Sequence, residues 1–289
     1  MGNSEVSQLL AFLDWEPPGA PDPSSGVWFT DRTVENSFPD SGVEIFGDVD
    51  DDSFWFKHRN DMIAKALAKF APNGTFLEVG AGSGAVAGHL SQLGRTVAAV
   101  EPILAGAAAT AQRGVVASFC GDLSSLDLPD GAVQAMGAFD VIEHLPHAPD
   151  VLMECARVLA PSGTILLTVP AHQWLWSDFD EWNGHVRRYS RRELERQVTG
   201  VGLTPVHSTY FFSPLLVPAA ISRILASQFR RQERSKEEIE AELAKNLAPG
   251  SRLVGRVLEF IHAAEVAAYL NVPIPSGTSI LMVAKKEKP

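Results

Sequence analysis

The sequence predicts a doubly wound α/β fold: a mostly parallel, seven-stranded sheet with helices on both faces. Three observations carry this. Short apolar runs alternate with helical periodicity from Thr75 to Val169, and such alternation builds a parallel sheet through right-handed crossovers. The first run ends in glycines at alternate positions, in Leu77-Glu78-Val79-Gly80-Ala81-Gly82-Ser83-Gly84-Ala85, and a helix-like run follows to Leu93. Two later apolar segments, Thr204 to Phe212 and Ser279 to Ala284, supply the last strands.

The elements follow in order. A helix over Phe54 to Phe70 precedes the first strand, Thr75 to Val79. The next strands are Thr96 to Val100, Val115 to Cys120, Val133 to Phe139 and Thr164 to Val169. A polar, aromatic loop covers Pro170 to Ser190, and a helix at Arg191 to Thr199 leads into the sixth strand. Between the last two strands lies a long insertion, residues 213–277, with helical patterns at Leu215 to Phe229, Lys236 to Leu247 and Leu253 to Leu270. Insertions at the carboxyl ends of strands commonly build substrate pockets, so this one reads as a helical substrate cap.

Charge divides the chain. Of its 35 acidic and 24 basic side chains, residues 1–52 hold twelve acids and the single base Arg32. The remainder is neutral. The acidic segment 1–52, with Pro17-Pro18, Pro21 and Pro23, reads as irregular, while Trp15, Trp28, Phe29, Phe38 and Phe46 argue against simple disorder. Residues 53–289 then form one domain. Nothing resembles a phosphate-tracking surface, so no nucleic-acid partner is expected. Cys120 and Cys155 sit in apolar runs and read as buried reduced thiols. No secretory or myristoylation pattern opens the chain, so the expected location is cytoplasmic.

The glycine turn between a strand and a helix is a cofactor loop, because glycine admits close backbone approach and the helix start offers free N–H groups. Two readings fit it: a dinucleotide fingerprint through Gly80, Gly82 and Ala85, or the E-x-G-x-G-x-G loop of methyltransferases through Glu78, Gly80, Gly82 and Gly84. Glu101, which ends the second strand, suits the ribose hydroxyls of either cofactor. Later motifs separate the two: Gly121-Asp122-Leu123 after the third strand, Asp140-Val141-Ile142-Glu143-His144 after the fourth, and Arg157-Val158-Leu159-Ala160-Pro161-Ser162-Gly163 before the fifth. Together, over roughly residues 70–170, they resemble the class I S-adenosylmethionine (SAM) methyltransferases. The resemblance implies a Rossmann-like methyltransferase fold and SAM as cofactor. It implies that Asp122 meets the adenine amino group and that Asp140 to His144 line the floor beneath the sulfonium. The cofactor contacts it points to are Glu78, Gly80, Ala81, Gly82, Gly84, Glu101, Asp122, Leu123, Phe139 and Asp140.

The acceptor side is expected from three places: the helix start with Phe54 and Trp55; the Asp140–His144 stretch with the loop carrying Trp174 and Trp176; and the end of strand six with Tyr210 and Phe211. His58, His144, His185 and Tyr210 are the candidate catalytic groups, and Glu143 could also take a proton. Arg187 and Arg188 suit an anionic substrate group, since a guanidinium matches phosphate or carboxylate. Arg191 and Glu195 read as a solvated i,i+4 pair. His172, Asp178, Asp180 and His185 match no standard zinc or calcium spacing, so no metal is expected. The predicted acceptor is an amphipathic or anionic small molecule, as in small-molecule biosynthesis, with C-methylation of a prenyl diphosphate as one specific form. The segment 210–236, apolar and then basic, reads as a buried helix with a basic end, or as an interfacial helix in weak contact with a membrane surface. A nicotinamide dehydrogenase and a non-catalytic SAM-binding accessory protein are the alternatives.

Overall fold

The computed structural model describes residues 20–30, 53–229, 238 and 252–288. Within these, eight strands form one sheet in the order β1-β4-β3-β2-β5-β6-β8-β7. They are β1 (Val27–Phe29), β2 (Phe76–Val79), β3 (Val97–Glu101), β4 (Ala117–Cys120), β5 (Val133–Phe139), β6 (Leu159–Pro170), β7 (Leu203–Phe211) and β8 (Ser279–Lys286). The pairs from β1 to β6 are parallel, and β8 runs antiparallel to both of its neighbours. The chain runs outward from β2 through β3 to β4, then crosses back to β5 and β6. The carboxyl ends of β2 and β5 therefore flank the crevice where such sheets bind ligands.

The eighth strand corrects the expected seven. It comes from the segment read as irregular: Val27–Phe29 pairs with Ser118–Cys120, and Trp28 packs against Phe119 at 6.1 Å. Three residues among prolines, serines and a glycine carry too little periodicity to register as a strand; the exposed edge of β4 supplies what the local sequence lacks. Trp15, Phe38 and Phe46 lie outside the described residues, as does nearly all of the predicted helix at 236–247.

The central strands β2, β3 and β5 are largely apolar because both faces are covered, whereas the edge strand β7 carries Thr204, His207 and Ser208. Leu77 and Val79 of β2 enter one core layer, with Phe119, Met136 and Leu167, while Phe76 enters the other, with Met62, Val86 and Leu90. Helix α1 (Phe54–Phe70) starts where Ser53 Oγ accepts the Trp55 N–H at 3.3 Å, and it buries Met62, Ile63, Ala66 and Leu67 against the sheet. The other helices of the first half are α2 (Ala85–Gln92), α3 (Leu104–Ala111) and α4 (Ala148–Val158). Cys155 on α4 is buried and free, and burial pushes its thiol up to about 12. Cys120 is also free but only half-buried.

The loop after β6 holds a short helix, α5 (Asp178–Trp182), followed by α6 (Arg191–Gly200). The insertion contributes α7 (Leu216–Phe229) and α8 (Arg252–Ala268). Helix α8 packs on α1: Glu265 meets His58, the Tyr269 hydroxyl donates to the Met62 carbonyl, and Lys69 Nζ donates to the Leu270 carbonyl at 3.0 Å. No described helix is long and apolar enough to cross a membrane. Val217, Ile221 and Ile224 are nevertheless exposed along α7.

Candidate active site

A cavity of about 800 Å³ opens at the carboxyl ends of the parallel strands. Its first half is the glycine loop with the ends of β2, β3 and β4. Gly80 has φ +70°, and a Cβ there would lie 2.6 Å from Val141 Cγ2, so only glycine fits between the loop and the start of the Asp140–His144 segment. Gly84 is tight for another reason: a Cβ would meet Thr110 at 2.7 Å. It joins α2 to α3 and does not line the cavity, which corrects its reading as a cofactor contact.

Several of the loop's backbone donors are already engaged. The Gly82 N–H donates to Glu101 Oε2 at 2.8 Å, Gly80 N–H to the Val100 carbonyl at 2.8 Å, and Gly84 N–H to the Ala81 carbonyl at 2.9 Å. A pyrophosphate would need such groups turned toward it. The lining here carries Glu78, Glu101, Asp122 and Asp140 instead. Glu78 is 2% exposed, and its Oε2 has no hydrogen-bond partner. Burial raises its pKa from 4.5 to about 8, against a lowering by Arg59 and a further rise from Glu101. Burial also raises Glu101, while the N–H groups of Ile103 and Gly82 oppose the shift. A dinucleotide's diphosphate is a poor match for this wall. SAM, with its sulfonium and ammonium charges, fits: an orphaned buried carboxylate oxygen faces the space, and the nearby carboxylates favour a cation. Ala81, Leu123 and Phe139 line the same half.

The second half is built by α1, the Asp140–His144 segment and the loop 170–190. Asp140 adopts φ +56°, a conformation that aspartate tolerates better than most side chains. Its Oδ2 accepts from Arg59 Nη1 at 2.7 Å and its Oδ1 from Thr168 Oγ1 at 3.2 Å. The Arg59 guanidinium lies 4.8 Å from the Trp55 ring and 5.1 Å from Phe56. Arg59 and Phe56 belong to the stretch Phe54 to Asp61 that the sequence marks for the acceptor side, though neither stands out there by itself. The signal was present: position 59 lies one helical turn beyond Trp55, on the same face.

Asp180 organises the loop. Its carboxylate is fully buried and accepts from Arg188 Nε (2.7 Å) and Nη2 (3.0 Å), His185 Nδ1 (2.9 Å), and the Ser177 N–H and hydroxyl (both 2.9 Å). Burial alone would raise its pKa, but the hydrogen bonds from His185 and Arg188 outweigh it and hold the group at about 2. Beyond this cluster lie Glu143 and His144. The His144 ring packs edge-on against His185 at 4.7 Å, and burial lowers its pKa to about 3, aided by the nearby His185. His144, His185 and Arg188 line the cavity, joined by Glu143, Phe179 and Asn183.

Several expected substrate-side residues lie elsewhere. His58 is 1% exposed, paired to Glu265 at 2.8 Å and packed on Phe212 at 4.7 Å; it ties α1, the lid over the cavity, to α8 and does not reach the cavity. Tyr210 stacks on His172 at 5.1 Å, and Phe211 is wholly inside the core. Phe54 packs against His58, Trp174 is 57% exposed, and Trp176 donates to Glu181 at 3.1 Å. Arg187 donates to the Pro146 carbonyl at 2.8 Å. None of these seven lines the cavity; of the expected aromatic contacts, Trp55 does. The described residues of the insertion do not line it either, so they brace the lid rather than form a pocket wall.

Residues 54–208 match the methyltransferase-domain family. The chain belongs to that family, within the class I SAM-dependent methyltransferases. A protein of Mycolicibacterium smegmatis described as a probable SAM-dependent methyltransferase is 29% identical over 143 residues, 48% of this chain and 54% of that protein. A relative in Mycobacterium tuberculosis, similarly described, is 32% identical over 131 residues, 45% of this chain and 47% of the relative. The chain thus spans about half the length of these relatives. Among solved structures, phosphoethanolamine N-methyltransferase 2 of Haemonchus contortus with SAM is similar at a TM-score of 0.53 and 16% identity, over 86% of this chain and 58% of that one. The [4+2]-cyclase SpnF is similar at 0.52 and 17%, over 99% and 93%. At such identities the likeness is one of fold, and this fold hosts more than one chemistry.

Proposed function

We propose that this protein transfers the methyl group of SAM to a small-molecule acceptor bound between Asp140 and the loop 179–188. The observation that carries the reading is the continuity of the cavity. Ligand sites commonly occupy roughly 300–1,000 Å³, and about 800 Å³ leaves room for a small acceptor beside the cofactor. Glu78, Gly80, Gly82, Glu101, Asp122, Leu123 and Phe139 would hold SAM, which when bound supplies an activated methyl on a sulfonium.

The protein's own task is alignment and exclusion of water. Trp55, Phe56 and Arg59 cover the site from α1, and the Arg59–Asp140 pair fixes that cover to the end of β5. On the acceptor wall, Asp180 engages the His185 Nδ1–H, which leaves Nε2 as the basic nitrogen of that ring. An acceptor that is neutral or carries a hydroxyl fits this wall better than a diphosphate. Arg188 is neutralised by Asp180 and Arg187 is bonded to a backbone carbonyl, so neither offers the clamp that prenyl diphosphate methylation would call for.

Calorimetric titration with S-adenosylhomocysteine, with NADH as control, tests the cofactor. Binding of the thioether alone is expected, followed by label transfer from SAM in an acceptor screen. Binding of NADH alone would reverse the reading. Thioether binding with no transfer to any acceptor would favour an accessory role.

A further inference from the structure

Glu143 is fully buried, and neither carboxylate oxygen has a hydrogen-bond partner. It nevertheless faces the cavity beside two imidazoles. One ligand atom each from Glu143, His144 and His185 lie within 4.8 Å of one another. A buried carboxylate is costly unless it is paired, and this one turns toward nitrogen atoms that bind either a proton or a cation.

We propose that Glu143, His144 and His185 form a binding site for a first-row divalent transition cation, with its open positions directed at the acceptor. Three features support this. First, Asp180 takes the His185 Nδ1–H at 2.9 Å, while Nε2 lies 4.0 Å from Glu143 Oε1. A carboxylate behind a histidine is the usual support of a metal-bound imidazole, fixing both tautomer and ring orientation. Second, the His144 ring lies edge-on to His185 at 4.7 Å, which brings both imidazoles to the Glu143 carboxylate. Third, the nearby positive charges are matched: Arg188 by Asp180 and Arg59 by Asp140. One group must adjust. The Asn183 Nδ2 lies 2.7 Å from His185 Nε2 and donates to the lone pair that an ion would use, so the amide must swing aside when the ion binds.

Two imidazoles and one carboxylate suit zinc, manganese, iron(II) or cobalt(II) better than magnesium or calcium, which prefer all-oxygen shells. Three protein ligands leave positions for an outside oxygen, so the acceptor class this favours is a hydroxyl, phenol or carboxylate. That last step rests on the methyl-transfer reading; the ion site does not.

The full chain, stripped with chelator, would be titrated with Co²⁺ by visible absorption and calorimetry, with Mg²⁺ as control and S-adenosylhomocysteine titrated in parallel. One Co²⁺ per chain is expected, displaced by Zn²⁺ but not by Mg²⁺. The near-isosteric Glu143→Gln should weaken Co²⁺ about tenfold or more while retaining thioether binding, which also reports folding; His185→Ala should do the same. No Co²⁺ binding by the wild type, or equal binding by Glu143→Gln, would overturn the ion site. Co²⁺ binding without thioether binding would instead overturn the methyltransferase reading.

Discussion

Asp180 and Glu143 are both fully buried carboxylates, but only Glu143 lines the cavity, and their surroundings are opposite. Asp180 receives donors from Arg188, His185 and Ser177 and is held at about 2. Glu143 has none, and burial, with the Asp140 charge beside it, raises its pKa well above the carboxylate range. Glu78, across the cavity, resembles Glu143. A saturated buried acid supports structure, whereas an unsaturated one facing a cavity has kept its capacity for a ligand.

The contrast breaks most visibly at Asp180. Asp180→Asn leaves the nearly buried Arg188 without its carboxylate, and the expected loss is ~3 kcal/mol of stability in denaturant unfolding. Because its pKa is depressed, Asp180's contribution is present above 3.8 and lost as pH falls through about 2. An unchanged denaturation midpoint would show that the cluster is not structural. Gly80→Ala comes next. With Val141 Cγ2 at 2.6 Å and φ +70°, it should cost ~1–3 kcal/mol and reduce thioether affinity, read by thermal unfolding and calorimetry.

Glu78→Gln should spare the fold but lower thioether affinity about tenfold at pH 8.5, and less at pH 6. The sign follows from its raised pKa. In the ligand-free protein, the stability from protonated Glu78 is fully present below 4.5 and lost as pH rises through about 8. The thioether's ammonium group favours the ionised form, so wild-type affinity should climb between pH 6 and 8.5, and in the variant that climb should flatten. Equal slopes would detach Glu78 from the cofactor. The smallest effect belongs to the solvated Arg191–Glu195 pair at 3.8 Å, where Arg191→Ala should change stability by no more than ~0.5 kcal/mol. A larger loss would mean that Arg191 also supports Tyr210, whose ring it covers at 5.9 Å.

The cofactor half of the site was legible because parallel strands bring their carboxyl ends together. Glu78, Glu101, Asp122 and Asp140 each close a strand or lie within two residues of its end, so their convergence follows from topology alone. The acceptor half was not. His58 and Phe211 sit among aromatic and polar neighbours that suggest a pocket, but the rotation of α1 and the pleat of β7 turn both into the core. Loop 170–190 carried the right residues with no local sign that Asp180 would gather Arg188 and His185. That pairing depends on the path fixed by the Ser177 capping box and the short helix α5.

The sequence by itself determined the alternation of strand and helix, the glycine turn and the carboxylates around it, because periodicity, glycine backbone freedom and strand direction are local properties. It also marked the family. Only the tertiary structure decided which acids are saturated, which histidines face the cavity and that α8, in the described part of the insertion, packs on α1. Those outcomes depend on hydrogen-bond partners distant in the chain, such as Glu265 for His58 and Thr168 for Asp140, and such partners meet only when separate elements pack.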